Sequence, residues 1–198
     1  MIKKIIFIAG MIFSASVFAQ AENFAGTSVG INAGFNNQTL RYADKINLTN
    51  NNTNASLNAT YTFALSKSAT FGLGITYDLA ANDLISASDI GNLDNSLTSS
   101  YQLKSHYSVN FEPGYAISDN TLGYFKVAYH SGKAYQSEAS VDNTITGTGY
   151  GFGTKVLIDK NLYLNIDIEK VTYNSFTASD TQWKVTSTIA TIGIGYKF

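Results

Sequence analysis

The chain holds two histidines, His106 and His130, and no cysteine. Ser131 follows His130 directly. The chemistry on offer is therefore a pair of imidazoles binding a metal or a proton, or a serine activated by a histidine. A thiol nucleophile is excluded. Two histidines without a third placed ligand make a poor metal site. Neighbours on a strand point to opposite faces, so on a strand His130 turns away from Ser131. The other candidates are charged. Asp78, Glu112, Lys126, Lys155, Asp167, Glu169 and Lys197 each sit on the polar phase of an alternating segment. They would form either a lining that passes ions or a mutually paired plug. Crowded charges of both signs are tolerated when partnered, which favours the plug. No catalytic, cofactor-binding or metal residue is assigned.

What must position these residues is a series of strands. Counting back by twos from the end gives Phe198, Tyr196, Ile194, Ile192 and Ala190, against Lys197, Gly195, Gly193, Thr191 and a stray apolar Ile189. That is the period of a strand with one apolar face. The same alternation runs through Gly26 to Phe35, Ala55 to Leu65, Phe71 to Leu79, Leu103 to Tyr115, Leu122 to His130, Thr148 to Ile158 and Leu162 to Ile168. Short turns at Ser66–Ser68, Ser118–Asn120 and Asp159–Asn161 alternate with long polar stretches. Those stretches hold Thr49–Asn54, Ala80–Ser100, Ser131–Thr146 and Asn174–Thr181, and their composition reads as loop. Folding the hairpin about Ser118 sets His106 opposite His130, both on the inward phase near one rim.

Eight strands with turns on one side and long loops on the other predict an all-β fold. It is an eight-stranded antiparallel transmembrane β-barrel with short periplasmic turns and long extracellular loops. In lipid every backbone polar group must be paired internally, so the sheet must close. Outward aromatics would form two girdles, Phe63, Phe71, Phe125, Tyr196 and Phe198 at the turn end and Phe35, Tyr77, Tyr107, Tyr129 and Tyr150 at the loop end. Pro113 falls near the turn end, where ladder pairing can lapse.

Met1 to Ala19 reads as a cleaved signal peptide: Lys3 and Lys4, an apolar run from Ile5 to Phe13, then Val17-Phe18-Ala19. The domains are thus 1–19, signal peptide, and 20–198, barrel. The whole chain carries 13 basic and 14 acidic side chains. Without Lys3 and Lys4 the balance is 11 against 14, a net charge of −3. That offers no basic surface for nucleic acid. The absence of cysteine also excludes a disulfide-stapled scaffold and a lipoprotein anchor.

The segments Val109 to Tyr115, Leu122 to Tyr129, Gly149 to Gly153, Asn161 to Glu169 and Gly193 to Phe198 resemble the small bacterial outer-membrane β-barrel families that include opacity-type adhesins and OmpX-like proteins. The resemblance implies a Gram-negative outer-membrane address. It also implies that Tyr196 and Phe198 form the terminal signal read by the barrel-assembly machinery. Partners implied are outer-membrane lipid and lipopolysaccharide, periplasmic chaperones and an external surface ligand. No cofactor is implied. Outer-membrane lipid A deacylases are small barrels too, but their histidine and serine face the same way and outward, unlike His130 and Ser131. Gly149-Tyr150-Gly151-Phe152-Gly153 lacks the helix that would make it a phosphate loop. The expected role is non-enzymatic, structural and surface-directed, carried by the loops. The alternatives are a narrow porin-like channel for ions or small solutes and a lipid-modifying enzyme.

Overall fold

Alternation of apolar and polar side chains, repeated without a helix-period segment, folds here into one closed sheet. The computed structural model describes residues 20–42, 46–85, 101–136, 141–178 and 181–198. The leader, 1–19, and residues 86–100 of the second expected loop lie outside the described residues. The strands are β1 (Gly26–Tyr42), β2 (Ile46–Ala64), β3 (Ala69–Asp78), β4 (Asn82–Ile85), β5 (Tyr101–Ser118), β6 (Thr121–Gln136), β7 (Val141–Leu157), β8 (Leu162–Tyr173), β9 (Phe176–Ala178) and β10 (Thr181–Lys197). The path β1-β2-β3-β5-β6-β7-β8-β10 closes through β1–β10 pairing, with β4 on β5 and β9 on β10. Since β4 and β9 prolong β3 and β8, the barrel has eight antiparallel staves.

The outward set is apolar. Val29, Ile31, Phe35, Leu57, Ile75 and Val109 are exposed, as are their counterparts on every stave. Phe63, Phe125, Tyr196 and Phe198 stand outward at the turn end and Phe35, Tyr77, Tyr107, Tyr129 and Tyr150 at the loop end. An apolar belt between two aromatic rings is the surface that lipid requires.

Two stretches expected to be loops are ladder. Residues 49–54 belong to β2, paired with β1 as far as Tyr42↔Ile46, and most of Ser131–Thr146 is split between β6 and β7, paired as far as Gln136↔Val141. Polar composition misleads here because a solvated ladder needs no apolar face. Asn37 Nδ2 donates to Asn51 Oδ1 at 2.7 Å across the first hairpin. The barrel wall therefore continues well beyond the belt at its loop end.

A bulge in β5 corrects a second expectation. Lys104 pairs with Lys133 and Tyr107 with Ser131, so Ser105 and His106 together oppose Gly132. Ser105 takes the left-handed backbone, φ 48°. Such an insertion reverses the phase of a strand. Below it His106, Ser108, Asn110 and Glu112 point inward; above it Leu103 does. Lys104 turns out to lie over the Tyr135 ring, 3.5 Å from its centroid. The cross-strand partner of His130 is Ser108, and His106 sits one step nearer the rim.

The interior is layered. At the turn end a 3₁₀ turn, Ala21–Phe24, seats Phe24 against Ala116 and Leu122. It is tied down by Ala21 N donating to Lys67 O at 2.8 Å and Asn23 Nδ2 to Asp119 O at 2.9 Å. At the loop end Leu40, Leu103, Ala134, Ile145, Val171, Tyr173 and Val185 form a buried apolar cluster. Ile189, the residue that broke the pattern of the last strand, packs against it. Charge fills the space between.

Candidate functional site

Inward positions of β3, β5, β6, β7, β8 and β10 converge midway along the barrel because period 2 on eight staves sends alternate side chains to one axis. Asp78, Glu112, Lys126, Lys155, Asp167 and Glu169 are all buried there, none more than 9% exposed. Lys197 is not among them. It is half-buried at the turn end and its Nζ donates to Ala25 O at 3.4 Å. Its phase points inward, but it stands at the mouth, one residue from the terminus, below the layer where the network begins.

The contacts form one chain. Asn82 Nδ2 donates to Asp78 Oδ2 at 2.9 Å, and the same oxygen lies 2.8 Å from His106 Nδ1. His106 Nε2 is 3.1 Å from His130 Nδ1, and His130 Nε2 is 2.8 Å from Glu169 Oε1. Glu169 Oε2 then meets Lys126 Nζ at 3.0 Å, which also reaches Asp167 Oδ1 at 3.3 Å. Thr191 Oγ1 donates to Asp167 Oδ2 at 2.6 Å. Beside it Lys155 Nζ pairs with Glu112 Oε2 at 2.7 Å. Gly149 makes room for the chain: a Cβ there would come within 2.7 Å of His130 Nε2.

Both ring nitrogens of each histidine thus have a polar partner within hydrogen-bond reach, His106 between Asp78 and His130 and His130 between His106 and Glu169, and Lys126 faces the Glu169 carboxylate from its other side. The ring planes lie within 10° with centroids 5.2 Å apart, the geometry of imidazoles meeting edge to edge through a hydrogen bond. They do not converge on a common point, and among the described residues no three metal-ligating side chains gather. Tyr173 closes the segment from the loop side, its hydroxyl 3.2 Å from His106 Nε2. Its ring belongs to the apolar cluster above.

Sequence reasoning placed these side chains inward but missed what caps them. The loop-end cluster was in reach, since Leu40, Ile145, Val171 and Val185 continue the inward phase of their strands. Leu103 was not, because the bulge that turns it inward carries no glycine.

The family model of the outer membrane protein beta-barrel domain matches residues 5–198. Ail, the attachment invasion locus protein of Yersinia pestis, solved in complex with the heparin analogue sucrose octasulfate, is 18% identical. Its TM-score is 0.54, covering 87% of this chain and 99% of that one. Neisserial surface protein A is 14% identical with a TM-score of 0.57, covering 88% of this chain and 98% of that one. At these identities the likeness is one of fold. No curated protein sequence matches the chain.

Proposed function

From a chain that belongs to the outer membrane protein beta-barrel domain family, and so lies in the outer membrane, we propose a sealed, non-enzymatic barrel that works at its surface. Residues 1–19 serve as a cleaved export signal. Periplasmic chaperones and the barrel-assembly machinery deliver the rest, with Tyr196 and Phe198 as the assembly signal. The short turns face the periplasm and the loop end faces outside.

One observation carries the reading: three groups of buried side chains are stacked along the axis. Phe24 with Ala116 and Leu122 fills one end, paired charges fill the middle and the seven-residue apolar cluster fills the other. An ion would have to cross two dry layers and break buried ion pairs, each step costing several kcal/mol. The same burial weighs against catalysis. His130 is 2% exposed and held between His106 and Glu169, with no face turned to a substrate.

What remains available is the loop end, where the β1–β2 and β6–β7 hairpins stand clear of the belt. Rigid hairpins present side chains at low ordering cost, which suits recognition. Ail's complex makes a heparin-like polyanion a reasonable first probe for this chain. The test is liposome swelling with a small sugar beside heparin binding by the intact protein. Swelling at the rate of empty liposomes is expected; uptake that scales with protein would overturn the sealed barrel.

A further inference from the structure

At the turn end four elements enclose a recess of about 570 Å³. Hydrogen bonds join its walls into a ring. Asn23 Nδ2 of the 3₁₀ turn donates to Asp119 O of the β5–β6 turn at 2.9 Å. Leu157 N, at the end of β7, donates to Asn120 O of that same turn at 2.8 Å. Asn161 of the β7–β8 turn exchanges two bonds with Lys197 of β10. Lys197 N donates to Asn161 O at 2.6 Å, and Asn161 Nδ2 to Lys197 O at 2.7 Å. Lys197 Nζ, donating to Ala25 O at 3.4 Å, closes the ring beside the 3₁₀ turn. Turn residues that would otherwise fray are thus fixed around a concave space, and a rim ordered in advance lowers the cost of binding.

The rim carries charge of both signs: carboxylates from Glu22, Asp119 and Asp159, ammonium groups from Lys160 and Lys197. Among the described residues none of the five belongs to an ion pair, whereas Lys126 and Lys155 in the interior each meet a carboxylate. The side chains of Glu22, Asp119 and Lys160 make no hydrogen bond to any described residue either. Between these charges lie Leu157, which packs against the Phe24, Ala116 and Leu122 cluster, and Ile158. The recess therefore sits over the plug at the mouth of the barrel.

We propose that this recess binds a short peptide bearing a free amine and a free carboxylate. A ligand of one sign would meet like charge on part of the rim: an inorganic anion faces three carboxylates, a bare diamine two ammonium groups. A zwitterion meets neither difficulty. Its amine is placed by Glu22, Asp119 and Asp159, its carboxylate by Lys160 and Lys197, through charge-assisted hydrogen bonds. Small aliphatic side chains cover Leu157 and Ile158. The volume lies within the roughly 300–1,000 Å³ of small-ligand sites. Exposed charges are screened, so a single contact is weak, with a Kd of about 0.1–1 mM. With the turn end facing the periplasm, as proposed above, such peptides have two sources: the peptide stems of the cell wall, and free peptides. Only the source rests on that orientation; the site does not.

The experiment titrates the refolded barrel with trialanine and follows backbone amide shifts by NMR. Saturating shifts are expected at Asn23, Asn120, Leu157 and Lys160. Trialanine acetylated and amidated at its termini should bind at least about tenfold more weakly. The E22Q/D119N/K160Q variant should lose about tenfold, and K160Q alone, which replaces it if the triple variant fails the heat-dependent gel shift, about threefold. K67Q, at the same end but outside the recess, should bind as wild type does. Co-sedimentation with cell-wall sacculi then separates the sources. Retention that falls when an amidase strips the stems assigns the wall peptide; no retention, with trialanine bound, assigns free peptide. Absence of trialanine shifts, equal binding of the capped peptide, or unchanged affinity in whichever variant folds would overturn the proposal.

Discussion

Glu169 is the residue on which most of the interior depends, because one oxygen serves His130 and the other Lys126. Removing it takes the carboxylate from a buried imidazole and leaves Lys126 with Asp167 alone. E169A should therefore lose about 3–5 kcal/mol of unfolding free energy, the usual cost of breaking a buried ion pair from one side. Denaturant titration followed by circular dichroism measures it. The Glu112–Lys155 pair separates charge from burial: E112Q and K155M should each destabilise, while the double variant should recover more than half of their summed loss, because no unpaired charge remains. Additive losses would mean that the two side chains act independently. At the turn end Asp159 Oδ1 accepts from Asn161 N at 2.8 Å and Leu162 N at 2.7 Å. These two backbone donors hold its carboxyl below the ordinary value, near 3.9. A depressed carboxyl contributes stability above its unfolded value and loses it as pH falls through the folded one. D159A should be less stable than wild type at pH 7, and the difference should shrink as pH falls below the ordinary carboxyl value, about 3.9.

At the scale of the element, β10 is both the seam of the barrel and its last stave. Ser28↔Lys197 through Tyr42↔Trp183 pair it to β1, and Tyr196↔Leu162 through Thr186↔Thr172 pair it to β8. Phe198 adds little to that seam: it is 71% exposed, with one backbone bond to Thr27 O and an edge contact to Tyr196. Deleting it should shift in-vitro unfolding by less than about 1 kcal/mol yet lower the amount of folded barrel in the outer membrane several-fold. Normal membrane levels of the truncated chain would remove the terminal aromatic from the assembly account. The strands themselves were legible from alternation, and so was which side of each would face lipid. Their length was not. Asn37, Thr39, Thr49 and Asn51 are polar on the side that meets solvent, so composition reads loop where the backbone is fully paired. The bulge at Ser105 was equally hidden, since its residue type gives no sign of a left-handed backbone, and with it went the reversal that brings Leu103 inside.

For the whole molecule, eight staves leave an interior that side chains can fill, and among the described residues an apolar cluster lies toward each end with paired charges between them. The inward charges were legible as a set from their phase, and the expectation of mutual pairing followed from their mixed sign. That Lys197 stands apart, and that Asp78, both histidines, Glu169 and Lys126 join in one chain, required the register and the shear of the closed sheet. The plugs at the two ends were the least visible. One uses a 3₁₀ turn preceding the first strand, and the other draws seven residues from six different staves. Together they make the barrel a rigid post with a solvated crown of hairpins, the form on which the surface role rests.

That role stands or falls with the sealed interior, so the decisive measurement is single-channel recording of the refolded barrel, residues 20–198, in a planar bilayer. A matched sample should show the full heat-dependent gel shift. The sealed barrel predicts a baseline indistinguishable from the protein-free bilayer across the voltage range. Discrete, reproducible openings from a fully folded preparation would contradict it and make the charged interior a pathway.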